Sequence, residues 1–323
     1  MISTIFKNIY FLTKMTKNIL LLTVVFFQVF AFAQKKVLDH SDYELWNTVQ
    51  DEAIAPDGSH VVYSLERGEK DHFLKVHNSK GALVLDYPRG QKGHFTYDSK
   101  FMTLTIKAWK DSVIAMKKRK VKKDRLPKDS LGIFNLNTQS LTKIGNIKSY
   151  RIPEKWSGYL AYQLEEIKKE KKKEPKDSVA KADKKKEKPK KVGKKNGYHL
   201  VLRNLESEQQ DTIKFVTEYT FAKKGKWLAY TSTGTKKDNV SGVFVRNLET
   251  METTVLHQAK KAKYFQLSFS DSGENLGFIT DTDTTKVQLR PNELFLWKKG
   301  QQAAKKVMDN EIAPNNYVVS KHG

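Results

Sequence analysis

The stretch Ala53–Ser64, AIAPDGSHVVYS, limits the fold more than any other part of the chain, because it recurs. A short apolar strand runs through a Pro-Asp-Gly turn into a second strand. Pro56 pre-sets φ for the turn, and Gly58 accepts the positive φ that closes it. Beyond the turn, Val61 and Tyr63 point to one face and Val62 and Ser64 to the other. Related turns return at Tyr97-Asp98-Ser99-Lys100, Trp156-Ser157-Gly158, Ala222-Lys223-Lys224-Gly225 and Ser270-Asp271-Ser272-Gly273. Each precedes a short apolar-rich strand: Val61-Val62-Tyr63, Phe101–Leu104, Tyr159–Tyr162, Trp227–Tyr230 and Leu276–Ile279.

A second element keeps step with the first. It reads Phe73–Asn78, then Leu131–Leu136, Leu200–Leu205, Val243–Leu248 and Leu294–Trp297. Most copies lead through a polar turn into a further strand, as Glu249-Thr250 leads into Thr253–Leu256. Each unit therefore supplies about four short antiparallel strands. From Gly58 the turns are 41, 59, 67 and 48 residues apart, against about 40–50 for a propeller blade. A parallel β-solenoid needs shorter repeats, and a sandwich needs none. The expected fold class is all-β: a β-propeller of four-stranded antiparallel blades over residues 34–323, with about five units visible. Residues 34–49, with Tyr43, Leu45, Trp46 and Val49, are expected to pack on the first sheet as an amphipathic lead-in.

Two basic runs account for the long intervals. Lys117–Arg125 lies in the second unit, and Lys168–Lys195 in the third. Loops absorb such insertions at small entropic cost. The longer run, within an insert spanning 165–196, reads as a solvated, disordered or helical excursion. It holds fifteen Lys and five acidic residues, so it supplies +10 of the formal net charge of +23. With neither aromatic nor Arg in it, it lacks the stacking platforms of a nucleic-acid surface. No nucleic-acid partner is expected; electrostatic contact with an anionic envelope surface fits the charge better.

Residues 1–33 have the form of a signal peptide. Lys17 supplies the positive region, Ile19–Phe32 a nearly continuous apolar run, and Ala31-Phe32-Ala33 an A-x-A cleavage site. Met15 gives a start of ordinary length. The expectation is export across the inner membrane to the periplasm or beyond. The chain has no Cys, which excludes disulfides, thiolate metal sites and a Cys nucleophile.

No nucleophile is visible in the sequence. The nearest approach to G-x-S-x-G is His77-Asn78-Ser79-Lys80-Gly81, which lacks the first Gly and falls between two strands. The eight His residues form no H-x-x-x-H. Asp281-Thr282-Asp283-Thr284 lacks the Gly and distal Glu of a calcium loop and reads as a polar turn. No catalytic, cofactor-binding or metal-ligating residue is assigned, and no cofactor is expected.

Tyr43-Glu44-Leu45-Trp46 followed by Ala55-Pro56-Asp57-Gly58 and Val61–Ser64 resembles the propeller opening of secreted prolyl oligopeptidase-family serine peptidases from Bacteroidetes-type bacteria. So does the run into Leu126-Pro127-Lys128-Asp129-Ser130-Leu131. The resemblance covers nearly all of the mature chain. It implies a propeller that admits peptides and excludes folded proteins, placed ahead of an α/β-hydrolase domain that carries the Ser, Asp and His of the triad. None of those catalytic residues has a counterpart here. Asn316–Gly323 looks like the entry to a further blade, so the chain reads as a truncated N-terminal portion, inactive by itself. Its expected partners are peptides or the missing hydrolase domain. The alternative is a stand-alone secreted propeller that binds proteins or peptides.

Overall fold

The computed structural model describes residues 16, 39, 42, 46–68, 70–165, 190–235, 240–283, 285, 287, 290–315 and 317–322. The chain divides into two compact units, Met1–Trp46 and Asn47–Gly323. In the first, Thr16 is helical, and Asp42 accepts the Asp39 N–H at 3.0 Å through its carboxylate. The signal-peptide pattern and residues 166–189 of the Lys-rich insert lie outside the described residues. Among the described residues, no helix is long and apolar enough to cross a membrane.

The second unit is built from four-stranded antiparallel meanders. Strands β1 (Asn47–Ile54), β2 (His60–Arg67), β3 (Phe73–Asn78) and β4 (Leu83–Pro88) pair in chain order. So do β5 (Gly90–Phe95), β6 (Phe101–Ile106), β7 (Ser130–Asn135) and β8 (Ser140–Ile144). The last sheet is β16 (Lys263–Phe269), β17 (Asn275–Asp281), β18 (Asn292–Lys298) and β19 (Lys305–Met308). Between them lies a seven-stranded sheet: β9 (Ile147–Arg151), β10 (Tyr159–Leu164), β11 (Tyr198–Asn204), β12 (Gln210–Phe221), β13 (Trp227–Ser232), β14 (Val240–Asn247) and β15 (Thr253–Lys260).

Strand β12 explains the seven. Its first half pairs with β11 and its second half with β13, and Val216 faces both Tyr198 and Ser232. One strand closes the third meander and opens the fourth, giving five four-stranded modules from nineteen strands. The turn-strand and second elements read in the sequence are the second and third strands of these modules.

Cores alternate with sheets. Val62, Leu74 and Val76 meet Met102, Leu104 and Phe134 between the first two modules. Leu131 and Ile133 meet Leu160, Tyr162 and Val201 between the second and third. Leu200 and Leu202 meet Leu228 and Tyr230 next, and Val243, Val245 and Leu256 meet Phe278, Phe295 and Trp297 last. Burying each such side chain contributes about 1.5–3 kcal/mol, so these cores outweigh any single hydrogen bond between sheets. The middle sheets are covered on both faces, which is why β7 and β13 read as apolar runs rather than strict alternations. Among the described residues, no core cluster joins the first module to the fifth.

Two details depart from expectation. Val49 belongs to β1, where it is 55 % exposed, instead of an inward-packing lead-in; Tyr43 and Leu45 lie outside the described residues. The second-module insert is partly helical, with α1 at Lys110–Lys118 and a 3₁₀ turn at Lys123–Arg125. Asp111 near the start of α1 and Lys117 and Lys118 near its end suit the helix dipole.

Candidate functional site

The recurrent turns stack from module to module at one end of the strands. The Asp57 N–H donates to Ser99 Oγ at 3.2 Å, and the Asp98 N–H to Ser157 Oγ at 2.9 Å. The buried Trp156 indole donates to the Ala222 carbonyl at 2.9 Å, and Lys223 reaches Asp271 at 3.3 Å. Hydrogen bonds from Ser59, side chain and backbone, hold the Asp57 carboxyl below its ordinary range. The Pro-Asp-Gly signature therefore belongs to an inter-module ladder.

The other sequence features resolve into local structure. Ser79 sits in the β3–β4 turn, where Asn78 Oδ1 accepts the Lys80 and Ala82 N–H groups and Gly81 has φ +81°. The buried Asp281 pairs with Arg290 at 2.7 Å and ties down a loop. His77 stacks on Tyr63, and His257 Nδ1 lies 2.9 Å from the Tyr264 hydroxyl. Among the described residues, no group of three or more His, Asp or Glu could hold a metal ion.

The leading strand of each module carries polar chemistry that the sequence reading did not single out. Pairing shifts register within β1, β5 and β16, with Asp51, Lys92 and Gln266 at positive φ. Such bulges free backbone groups from the ladder. In two places a carboxylate from the preceding module answers one: Asp51 Oδ2 accepts the Lys92 N–H at 3.2 Å, and Glu218 Oε1 accepts that of Leu267 at 3.2 Å. Hydroxyl pairs join the middle modules, Thr105 with Tyr150 at 3.1 Å and Ser149 with Tyr219 at 3.0 Å. Burial raises the Glu218 carboxyl above its usual range and pushes the Tyr219 hydroxyl up to about 12.

Beside these contacts lies a cavity of about 330 Å³ lined by His94, Tyr150, Arg151, Glu154, Phe221 and Lys223, among others. Three modules contribute to it. Glu154 and Lys223 approach to 3.7 Å, and the Arg151 guanidinium lies 5.9 Å from the Tyr219 ring centre. The lining can receive carbonyl and carboxylate oxygens. A second, larger concavity of about 930 Å³ lies under α1, at the opposite strand ends.

No protein-family model matches the chain, and no curated protein matches it in sequence. Solved structures do. The β-propeller domain of the trilobed protease from Pyrococcus furiosus aligns at TM-score 0.41 and 13 % identity, covering 83 % of this chain and 72 % of that one. Acylaminoacyl peptidase from Pyrococcus horikoshii aligns at TM-score 0.39 and 13 % identity, over 83 % of this chain and 41 % of that one. TolB from Acinetobacter baumannii aligns at TM-score 0.34 and 12 % identity, over 78 % and 52 %. The chain thus spans about half, or less, of the TolB and peptidase chains.

Proposed function

We propose that this chain is the non-catalytic, substrate-gating propeller portion of an exported serine peptidase of the prolyl oligopeptidase type. The observation that carries the reading is the leading-strand cavity, assembled from three successive modules and lined by His94, Arg151 and Lys223 against the single carboxylate of Glu154. A space of about 330 Å³ takes a short peptide segment and shuts out a folded domain. Its polar walls suit backbone carbonyls and a terminal carboxylate. The sequence resemblance supplies the peptidase class, and the pattern over residues 1–33 supplies export.

The full chain, titrated with peptides of graded length and with folded proteins, is expected to bind only the peptides. Arg151→Ala is expected to weaken that binding about tenfold, the value of one charge-assisted contact. Incubation with a serine-directed fluorophosphonate probe is expected to leave the chain unlabelled. Specific labelling, or peptide affinity indifferent to Arg151, would sink the reading.

A further inference from the structure

The loops between second and third strands all leave the sheets at the ends opposite the stacked turns. They include 107–129 in the second module and the described ends of the Lys-rich insert, Glu165 and Lys190, in the third. Residues 107–129 alone carry eight Lys and two Arg against three Asp. Within this basic end of the unit, the 107–129 loop folds into a walled groove.

Three side chains fix the wall. Asp129 takes Lys107 Nζ at 2.8 Å and the Ala108 N–H at 3.3 Å, closing the neck of the loop. Asp71 Oδ1 accepts the Lys110 N–H at 3.3 Å, at the first turn of α1. Arg89 stacks on Trp109 with its guanidinium 4.2 Å from the ring centre and donates to the Lys107 carbonyl at 2.6 Å. Both acidic groups lining the groove are thereby engaged in holding it together.

Apart from His72 and Gln91, what remains facing the groove is cationic and apolar. Lys110, Val113, Ile114 and Lys117 lie at i, i+3, i+4 and i+7 of α1, so one helix face lines the space. Ile114 is 41 % exposed there. Lys123 adds a further cation, and Leu126 and Pro127 extend the apolar lining. Among the described residues, Lys110, Lys117 and Lys123 form no ion pair.

We propose that this groove docks an acidic peptide segment with aliphatic side chains between its carboxylates. Lys110 and Lys117 stand about 10 Å apart along the helix, with Val113 and Ile114 between them. Charge complementarity selects carboxylates, and the aliphatic strip with the groove's depth selects side chains that a polyphosphate or a flat lipid surface lacks. The site is distinct from the leading-strand cavity, so it goes beyond the gating reading and can fail without it.

The test uses the full chain and a fluorescein-labelled decapeptide alternating glutamate and leucine, followed by anisotropy. The expected result is saturable binding, weakened by salt, with no binding of the lysine–leucine counterpart. The pair Lys117→Glu and Lys123→Glu, both exposed and in no ion pair among the described residues, is expected to cost about tenfold or more in affinity. Ile114→Ser is expected to weaken the glutamate–leucine peptide severalfold, leaving any residual polyglutamate binding unchanged. Arg151→Ala is expected to remove only the leading-strand cavity's share of this binding, and the loss caused by Lys117→Glu with Lys123→Glu is expected to persist in the Arg151→Ala background, which separates the groove from the peptide gate. The proposal is overturned if these groove variants bind as wild type does. It is equally overturned if polyglutamate, polyphosphate or anionic vesicles bind as tightly as the mixed peptide.

Discussion

Two glycines at equivalent turns show how a single residue's cost depends on its surroundings. Gly58 and Gly273 both adopt positive φ, +72° and +75°. A Cβ at Gly58 would meet nothing within 4 Å, whereas one at Gly273 would lie 1.9 Å from the Lys224 carbonyl oxygen. Gly58→Ala should therefore cost only the backbone strain, about 1 kcal/mol. Gly273→Ala should cost clearly more, because the fourth and fifth modules must separate to admit the methyl group. Urea midpoints of the two variants check the order; equal losses would mean that the turns do not press on one another. The sequence shows both glycines as the same signal, and only the neighbouring module distinguishes them.

At the scale of the element, the leading strands were the part of the fold least legible in advance. β5 reads GQKGHF and β9 reads IKSYR, with neither apolar alternation nor an apolar run. Their bulges break the two-residue period, and polar groups of each, the Lys92 N–H in β5 and the Ser149 and Tyr150 hydroxyls in β9, answer groups on an adjacent module. Glu218 is the clearest instance. Burial raises its carboxyl pKa above the ordinary 4.5, opposed by the hydrogen bond from Leu267 and the charge of Arg151. A folded-state pKa above the unfolded one means that the native chain binds the extra proton. The resulting stability is complete below the ordinary carboxylate range and is lost as pH rises through the folded value. Glu218→Gln keeps an acceptor for Leu267 and removes the charge, so its unfolding midpoint should fall less than wild type's as pH rises above the ordinary carboxylate range. Parallel pH profiles would exclude this account. By the same logic the helix α1 escaped the sequence reading. Lys117–Arg125 looks like a charge run, and its amphipathic face appears only when Val113 and Ile114 are seen against the groove.

Across the second unit, protection should follow the covering of the sheets. β13 and β14 lie between two cores, formed by Leu228 and Tyr230 on one side and Val243 and Val245 on the other. β1 and β19 are almost wholly exposed. Hydrogen exchange of the full chain should therefore be slowest in β13 and β14 and fastest in β1 and β19, since amides in exposed outer strands open locally without breaking a core. Uniform protection would mean that something further covers β1 and β19.

The second and third strands of every module, and the turns before the second strands, were determined by the sequence itself. Burial on one or both faces writes Leu, Val, Phe and Tyr into those positions, and a positive φ writes Gly into four of the five tight turns, with Ser99 taking that conformation in the second module. The repeat and its all-β class followed from local chemistry alone. Tertiary structure decided the rest, because the relevant partners are distant in sequence. Asp51 finds Lys92, Glu218 finds Leu267, and Asp71 finds the start of α1. The doubling of β12 into two modules, the leading-strand cavity and the cationic groove all arise where one module meets another. No window of sequence contains both sides of such a contact.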